Sequence, residues 1–279
     1  MLTTNRCLAA ALLALTLSPA GLDAQPQVKR PITHEDVFLM KRVGPPAVSP
    51  DGRWVVVSVT EPAYEPGRQT SDLWIVPTDG SAVARRLTDS RGPESGVSWH
   101  PDSTRIAFAA AGNEGPLSTG AQSAMLVAAG RPGLGDGTQI FVLDVTAGGQ
   151  PQRVTNVSTG ARSPRWRPDG KAILFASMIY PGAKTDDDNK KAAAARTGHK
   201  WTARVYEQFP IRDWDRWLDD RRPSLLVQEL DGTSAARDIL AGTTLMASPG
   251  MGGQMGSGSE NLAAAWHGND RVIVAATGG

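Results

Sequence analysis

Residues 49–52 read SPDG, and the apolar run WVVVSV follows them at 54–59. The same phrase returns as WHPDS at 99–103, as WRPDG at 166–170 and, less well preserved, as WHGND at 266–270. Each copy separates two apolar runs by a tight turn. In that turn, proline presets φ at the second position, aspartate suits the third, and glycine takes the positive φ that closes a hairpin. One match predicts only a hairpin, whereas a series of them predicts a repeat architecture.

Two more strands follow each hairpin. The third strand is predicted at 73–76, 140–143 and 225–227, and the fourth at 86–88, 153–155 and 238–240. Units of four short antiparallel strands, stacked in series, are typical of a β-propeller. The sequence therefore predicts an all-β fold, a partial β-propeller of three four-stranded blades and the start of a fourth within residues 46–279. The blade boundaries are predicted at about 46–95, 96–161, 162–247 and 248–279.

Three added segments interrupt the repeats, at 111–137, 178–223 and 241–261. The first two connect a second strand to a third, and the last connects a fourth strand to the next first strand. In an up-and-down meander both kinds of connection emerge on the same face, here called the long-loop face, which is often the binding face of a repeat protein. Residues 178–223 are predicted to be a folded helical insertion, because charged and aromatic residues recur there at helical spacing. The other two segments are rich in glycine and are predicted to be loops.

The first two dozen residues have a different composition. Arg6 precedes an apolar run at 8–17 that is too short to cross a bilayer, and small residues suited to cleavage follow it. Residues 1–24 are therefore predicted to be a secretory signal peptide, with no membrane segment left after its removal. Cys7 is the only cysteine, so the mature chain has no disulfide and no thiolate ligand. An exported chain of this kind indicates a periplasmic or secreted protein.

Residues 25–45 lead into the first blade, and a short helix is predicted within them. Thr33 is a suitable N-cap, and Asp36 lies three residues further on. Gly44, with two prolines after it, is predicted to end the helix. We expect this helix to pack on the first repeat and to cover a sheet edge.

Charge and histidine content exclude several classes of function. The 29 basic and 28 acidic residues leave a net charge of +1, which provides no electrostatic footprint for nucleic acid or an anionic membrane. No two of the four histidines have the spacing of metal ligands, and no cofactor is expected. His100 and His267 take the turn position that is serine or arginine in the other copies. This variety indicates an exposed, structural turn position.

Three short motifs are better explained by simple structure than by chemistry. GLGDG at 133–137 precedes a strand, whereas the glycines of a dinucleotide site follow one. DDDN at 186–189 lacks the alternate-position spacing of a calcium loop, so the start of a solvated helix is favoured. NVSTG at 156–160 lacks the first glycine of a nucleophile elbow. Since the strand–turn–helix alternation of an α/β hydrolase is also missing, the sequence carries no visible catalytic residues.

Several stretches together resemble a known family. THED at 33–36, the SPDG phrase, DLWIV at 72–76 and RLT at 86–88 are similar to the start of secreted prolyl-oligopeptidase-family serine peptidases, in the dipeptidyl-peptidase or acylaminoacyl-peptidase-like branch. The most specific part is ARVYE at 203–207, which runs into RDWDRW at 212–217. The repeats alone are shared with TolB-type propellers. The resemblance covers about 32–240.

The resemblance implies a propeller, usually seven-bladed, that caps an α/β-hydrolase domain with a Ser-Asp-His triad. No position of this sequence matches a triad residue, so the chain is predicted to be the substrate-gating, non-catalytic part of an exported peptidase for short peptides. The hydrolase domain is then missing from the sequence, and a fragment is favoured over a truncated product. The alternative is a TolB-like binding module for a protein partner.

The insertion also carries the candidate substrate-binding residues. A dipeptidyl-type enzyme must recognise a cationic α-amino group, for which a carboxylate shielded from water is suited. Glu207 is the first candidate, with Tyr206 and Arg204 beside it, and Asp215 next to Trp214 is the second. The simpler interpretation is a helix packed on the blades, in which Glu207 pairs with Arg204 three residues earlier.

Overall fold

The computed structural model describes residues 30–65, 68–89, 93–111, 137–198, 212–213, 216–217, 220–243 and 264–274. The chain divides into a first unit, Met1–Val37, and a second unit, Phe38–Gly279, which contains every described strand. Among the described residues, no helix has both the length and the apolar character needed to cross a membrane.

Three antiparallel sheets follow the predicted plan, and each is called a blade here. Blade 1 contains β1 (Arg42–Val43), β2 (Ala47–Val48), β3 (Trp54–Glu61), β4 (Thr70–Pro77) and β5 (Arg85–Arg86). Blade 2 contains β6 (Ser95–Trp99), β7 (Arg105–Ala111), β8 (Thr138–Asp144) and β9 (Gln152–Arg153). Blade 3 begins with β10 (Arg162–Trp166) and β11 (Ala172–Ile179), continues after an insertion that holds α2 (Asp186–Thr197), β12 (Arg212–Asp213) and β13 (Arg216–Trp217), and ends with β14 (Arg222–Glu229) and β15 (Arg237–Asp238). A terminal hairpin pairs β16 (Ala264–His267) with β17 (Arg271–Val274). The predicted partial propeller is confirmed.

The helix α1 (His34–Phe38) begins where the sequence predicts but ends earlier. Thr33 N–H donates to Asp36 Oδ2 over 2.8 Å, and Asp36 N–H donates to Thr33 Oγ1 over 3.3 Å, which confirms the predicted cap. The predicted end at Gly44 is wrong, because the chain has already entered the sheet at that point: Gly44 N–H donates to the Ser58 carbonyl over 2.8 Å. The packing of this helix on the first repeat stays a prediction.

The first strand of each blade carries a one-residue bulge at the same place. In blade 2, Ser95 faces Ala109 but Ser98 faces Ala107, so three residue steps of β6 match two of β7. The same shift occurs within β10 and between β1 and β2. A bulge bends its strand and increases the local twist. Each bulge therefore bends the first strand of its blade, close to the end of that strand that lies at the long-loop face.

The hydrophobic core lies between neighbouring blades. Phe108 of blade 2 packs with Val56 and Leu73 of blade 1, and Phe175 of blade 3 packs with Ala107 and other residues of blade 2. Both phenylalanines are at most 1% exposed, and burying each contributes about 1.5–3 kcal/mol. A third cluster joins blade 3 to the terminal hairpin. Stacking of successive blades therefore supplies most of the apolar burial in this fold.

A row of indole hydrogen bonds also ties the first strands together. The donor is the tryptophan just before a turn, and the acceptor is the carbonyl two residues before the preceding turn. The three bonds are Trp99 Nε1 to Ala47 at 2.9 Å, Trp166 Nε1 to Ser98 at 3.1 Å and Trp266 Nε1 to Arg165 at 3.1 Å. The tryptophans of the repeated phrase thus fix the spacing of the blades.

The prediction that the first turn position is exposed is correct at His267 but wrong at Ser49 and His100. Ser49 is 3% exposed and His100 is 8% exposed, because each turn stacks on the turn of the next blade. The His100 ring meets Trp166 edge to face, with 4.6 Å between the ring centroids. It also covers Gly170, where a Cβ would lie 2.0 Å from His100 Nε2.

Candidate functional site

The predicted substrate-binding residues fall where the structure gives no description. Glu207, Tyr206, Arg204, Asp215 and Trp214 all lie outside the described residues. Their roles stay predictions, and the structure does not test whether they come together. The described residues include the root of the insertion, which is where the chain leaves β11 and returns to β14.

The described ends of the aromatic segment are extended. Arg212–Asp213 pairs antiparallel with Arg216–Trp217, so a helix through these residues is wrong. Tryptophans three residues apart fit the spacing of a helix, but this spacing alone does not exclude short strands. The helical prediction for the earlier aromatic residues, from 201 to 209, falls outside the described part of the chain.

The predicted start of the lysine- and alanine-rich helix is confirmed in α2. Thr185 is the N-cap, its side chain accepts from Asp188 N–H, and the Asp188 carboxylate accepts from Thr185 N–H in return. The Thr185 hydroxyl also donates to the Asp188 carboxylate, and this bond, with those from the N–H groups of Lys184 and Thr185, holds the pKa of Asp188 below its ordinary value. Among the described residues, no group of histidine and carboxylate side chains is placed to hold a metal ion. The acidic run starts α2, as its spacing favours.

Two side chains attach the beginning of α2 to blades 2 and 3. Asp186 Oδ1 accepts from both the N–H and the hydroxyl of Ser158 at 2.7 Å, and Lys190 lies 2.9 Å from Oδ2. Burial raises the pKa of Asp186, but the contacts with Lys190 and Ser158 outweigh it and leave the pKa below its ordinary value. Asn189 is 4% exposed and accepts from Tyr180 N–H over 3.0 Å. The helix start is thus fixed to Tyr180, the first residue after β11.

The end of α2 is attached through the Tyr180 ring. The guanidinium carbon of Arg196 lies 4.4 Å from the ring centroid, and that of Arg221 lies 5.6 Å from it. Both distances are within the range of a cation–π contact. Arg196 also forms two hydrogen bonds with the Asp220 carboxylate. The tyrosine and its two arginines, here called the Tyr180 clamp, close the root of the insertion.

A small cavity lies beside this root, bounded by Val157, Ile179, Asn189 and Leu226. Its volume of about 20 Å³ gives room for one water molecule but not for a peptide. The described part of the root therefore positions the insertion.

The placement of the long connections is confirmed. The chain leaves β7 at Ala111 and enters β8 at Thr138, and it leaves β11 at Ile179 and enters β14 at Arg222. Both are connections from a second to a third strand, on the same face as the connection that follows β15.

Sequence reasoning did not single out the Tyr180 clamp. The signal was a tyrosine just after an apolar strand and an arginine pair where the next strand begins.

The chain is similar in sequence to known peptidases. Uncharacterized peptidase YuxL of Bacillus subtilis is 27% identical over 169 residues, which are 58% of this chain and 21% of that protein. Dipeptidyl-peptidase 5 of Porphyromonas gingivalis is 26% identical over 215 residues, which are 76% of this chain and 27% of that protein. The resemblance to prolyl-oligopeptidase-family serine peptidases is confirmed. The chain spans about a quarter of the length of these peptidase relatives.

Solved structures support the fold. An acylaminoacyl peptidase of Pyrococcus horikoshii aligns over 86% of this chain and 28% of its own, with a TM-score of 0.51 and 14% sequence identity. No family model matches the chain. This likeness concerns the fold alone.

Proposed function

We propose that this chain forms the substrate-gating, non-catalytic propeller portion of an exported serine peptidase that cleaves short peptides. The observation that carries the proposal is the match to dipeptidyl-peptidase 5 of Porphyromonas gingivalis, which extends over 76% of this chain but only 27% of that protein. A propeller portion of a longer peptidase would match a relative over most of its own length and over only part of the relative's length. In this proposal, the serine nucleophile and its triad come from sequence beyond residue 279.

The fold suggests how gating works. The blades form a stack whose core lies between them, and such a stack stays rigid because each interface is closely packed. The insertion rises on the long-loop face from a root that Asp186 and the Tyr180 clamp hold in place. A rigid stack would limit the size of a peptide, and the insertion would contact its amino-terminal end.

Export is part of the same proposal and rests on the composition of residues 1–24. The test is N-terminal sequencing of the protein recovered from the periplasmic fraction. A mature protein that begins close to residue 25 supports export, whereas a protein that keeps residues 1–24 in the cytosolic fraction contradicts it.

The experiment for gating first reads the encoding DNA past residue 279 and then uses the longer protein that this proposal expects. We expect the longer protein to release dipeptides or acylated residues from short peptides. We expect it to leave the same sequences uncut when they are part of a folded protein. A version with Ser158→Ala, which loosens the Asp186 attachment, should change KM more than kcat because it disturbs the insertion and leaves the triad intact. Two results together would overturn the proposal in favour of the binding module. They are a reading frame that stops at residue 279 and capture of a protein partner by the 279-residue protein.

A further inference from the structure

The helix α2 has little apolar contact with the blades. Of its 12 residues only Asn189 is buried, and the alanines at 192–195 are partly or fully exposed. None of the core clusters formed by the described residues includes a residue of α2. Helices of globular proteins are usually stabilised by an apolar face that packs on the core. This helix is therefore held on the blades by other contacts.

The contacts that hold α2 are polar and lie toward its two ends. At the start, Asp186 accepts from the N–H and the hydroxyl of Ser158 at 2.7 Å. Asn189 accepts from the backbone N–H of Tyr180 over 3.0 Å. At the end, Arg196 contacts the Tyr180 ring with a side chain that is 41% exposed. Water replaces the partners of such contacts when they open, so each one adds little net stability.

The chain between β11 and α2 contains a suitable hinge. β11 is paired with β14 along its whole length, as far as Ile179, so the strand itself is fixed. Gly182 follows with φ of +80°, and a Cβ added there would meet nothing within 4 Å. Glycine adopts a wide range of φ without steric cost, and the space around Gly182 leaves this rotation unobstructed. α2 can therefore rotate about Gly182 without disturbing blade 3.

The small cavity of the insertion root lies against the start of α2. Its apolar floor contains Val157, Ile179 and Leu226, which belong to the core and are each 4–5% exposed. Asp186 and Asn189 of α2 line the same cavity. Rotation of α2 away from the blades would therefore join the cavity to solvent and expose its apolar floor.

We propose that α2 is a lid on the long-loop face, which opens as a unit about Gly182, and that the Tyr180 clamp is the latch that keeps it closed. Opening breaks the polar contacts of α2 and leaves the strands of blade 3 intact. In the peptidase proposed above, the open lid would admit peptides that the closed lid excludes. Only this gating role rests on the proposed function, because the motion is a property of the fold itself.

A buried thiol at the cavity floor measures the motion, whether or not the chain belongs to a peptidase. The chain after residue 24 has no cysteine, so Val157→Cys gives the mature chain a single thiol beside α2. Val56→Cys is the matched control, because Val56 is buried between blades 1 and 2 and its thiol reacts only when these blades separate. A maleimide should label position 157 at least about tenfold faster, since local opening requires less free energy than separation of the blades. Equal labelling rates at the two positions would overturn the lid.

Arg196→Gln, combined with each thiol variant, tests the latch. Lys191→Gln is the matched control, because it removes the same charge from an exposed position of the same helix. Loss of the cation–π contact should speed labelling at position 157 about 2- to 30-fold and leave labelling at position 56 unchanged. Lys191→Gln should change neither rate. A labelling rate at position 157 that does not respond to Arg196→Gln would overturn the latch.

The gating role is tested separately in the longer protein expected above. The apparent affinity for a peptide that needs the open lid is proportional to the open fraction. Arg196→Gln should therefore raise kcat/KM for longer peptides by up to the factor seen in labelling, and change it little for tripeptides. An unchanged ratio of the two kcat/KM values would overturn the gating role. Absence of any peptidase activity would instead refute the proposed function, and the labelling rates would still decide the motion.

Discussion

Gly170→Ala perturbs the contact between stacked turns. Gly170 has φ of +71°, where a side chain costs about 1–2 kcal/mol in backbone energy. The added Cβ would also lie 2.0 Å from His100 Nε2. The ring cannot swing aside easily, since its nitrogens lie 2.8 Å from Arg105 Nη2 and 2.8 Å from Asp102 Oδ1. Overpacking of this kind costs about 1–3 kcal/mol, so we expect a total loss of about 2–5 kcal/mol.

Gly52→Ala is the matched control for the backbone part of this loss. Gly52 also has φ of +71°, but a Cβ there meets nothing within 4 Å. It should therefore lose only about 1–2 kcal/mol. The difference between the two variants isolates the collision with the histidine ring.

Urea unfolding of dilute protein measures both losses, and His100→Ser completes a double-mutant cycle. Adding His100→Ser to Gly170→Ala should recover about 1–3 kcal/mol, because a serine side chain is smaller than the imidazole ring and leaves room for the new Cβ. Equal losses for Gly52→Ala and Gly170→Ala, with no coupling to His100, would refute the stacked-turn account.

Three further predictions concern the row of indole hydrogen bonds, the insertion root and the substrate anchor. Trp166→Phe removes the donor to the Ser98 carbonyl and should lower the free energy of unfolding by about 1–3 kcal/mol in urea, and an unchanged midpoint would contradict a stabilising role for this row of bonds. Asp186 has a lowered pKa in the folded state, so its stabilisation is complete above the ordinary aspartate pKa of about 3.9 and declines as the pH falls below it. Asp186→Asn should therefore lower the free energy of unfolding at neutral pH. On acidification the variant should lose less of its free energy of unfolding than the parent, and parallel curves of this free energy against pH would contradict the prediction. In the longer enzyme, Glu207→Gln should cost about 2–5 kcal/mol in kcat/KM, mainly for peptides with a free amino terminus, and equal losses on N-acylated peptides would remove Glu207 from consideration.

The blades could be predicted because their turns are encoded locally. The positive φ values of Gly52 and Gly170 are set within a few residues of sequence, and so are the strands on either side. The burial of Ser49 and His100 could not be predicted in this way. It depends on how one turn meets the next, some 50 to 70 residues further along the chain.

The candidate site was less predictable than the fold. The capping box of α2 is a local pattern, and the sequence identified the helix start correctly. The Tyr180 clamp joins residues from both ends of the insertion, so only the folded chain brings Arg196 and Arg221 to one ring. Spacing alone also misassigned Arg212–Asp213 and Arg216–Trp217, which form a pair of short strands and not a helix.

Labelling with a fluorophosphonate probe, read by mass spectrometry, most directly tests whether this chain is the non-catalytic part of a serine peptidase. The probe forms a covalent bond with an activated serine. We expect no labelled serine in the 279-residue chain and one labelled serine beyond residue 279 in the longer protein. Stoichiometric labelling of a serine within the 279 residues would contradict the account.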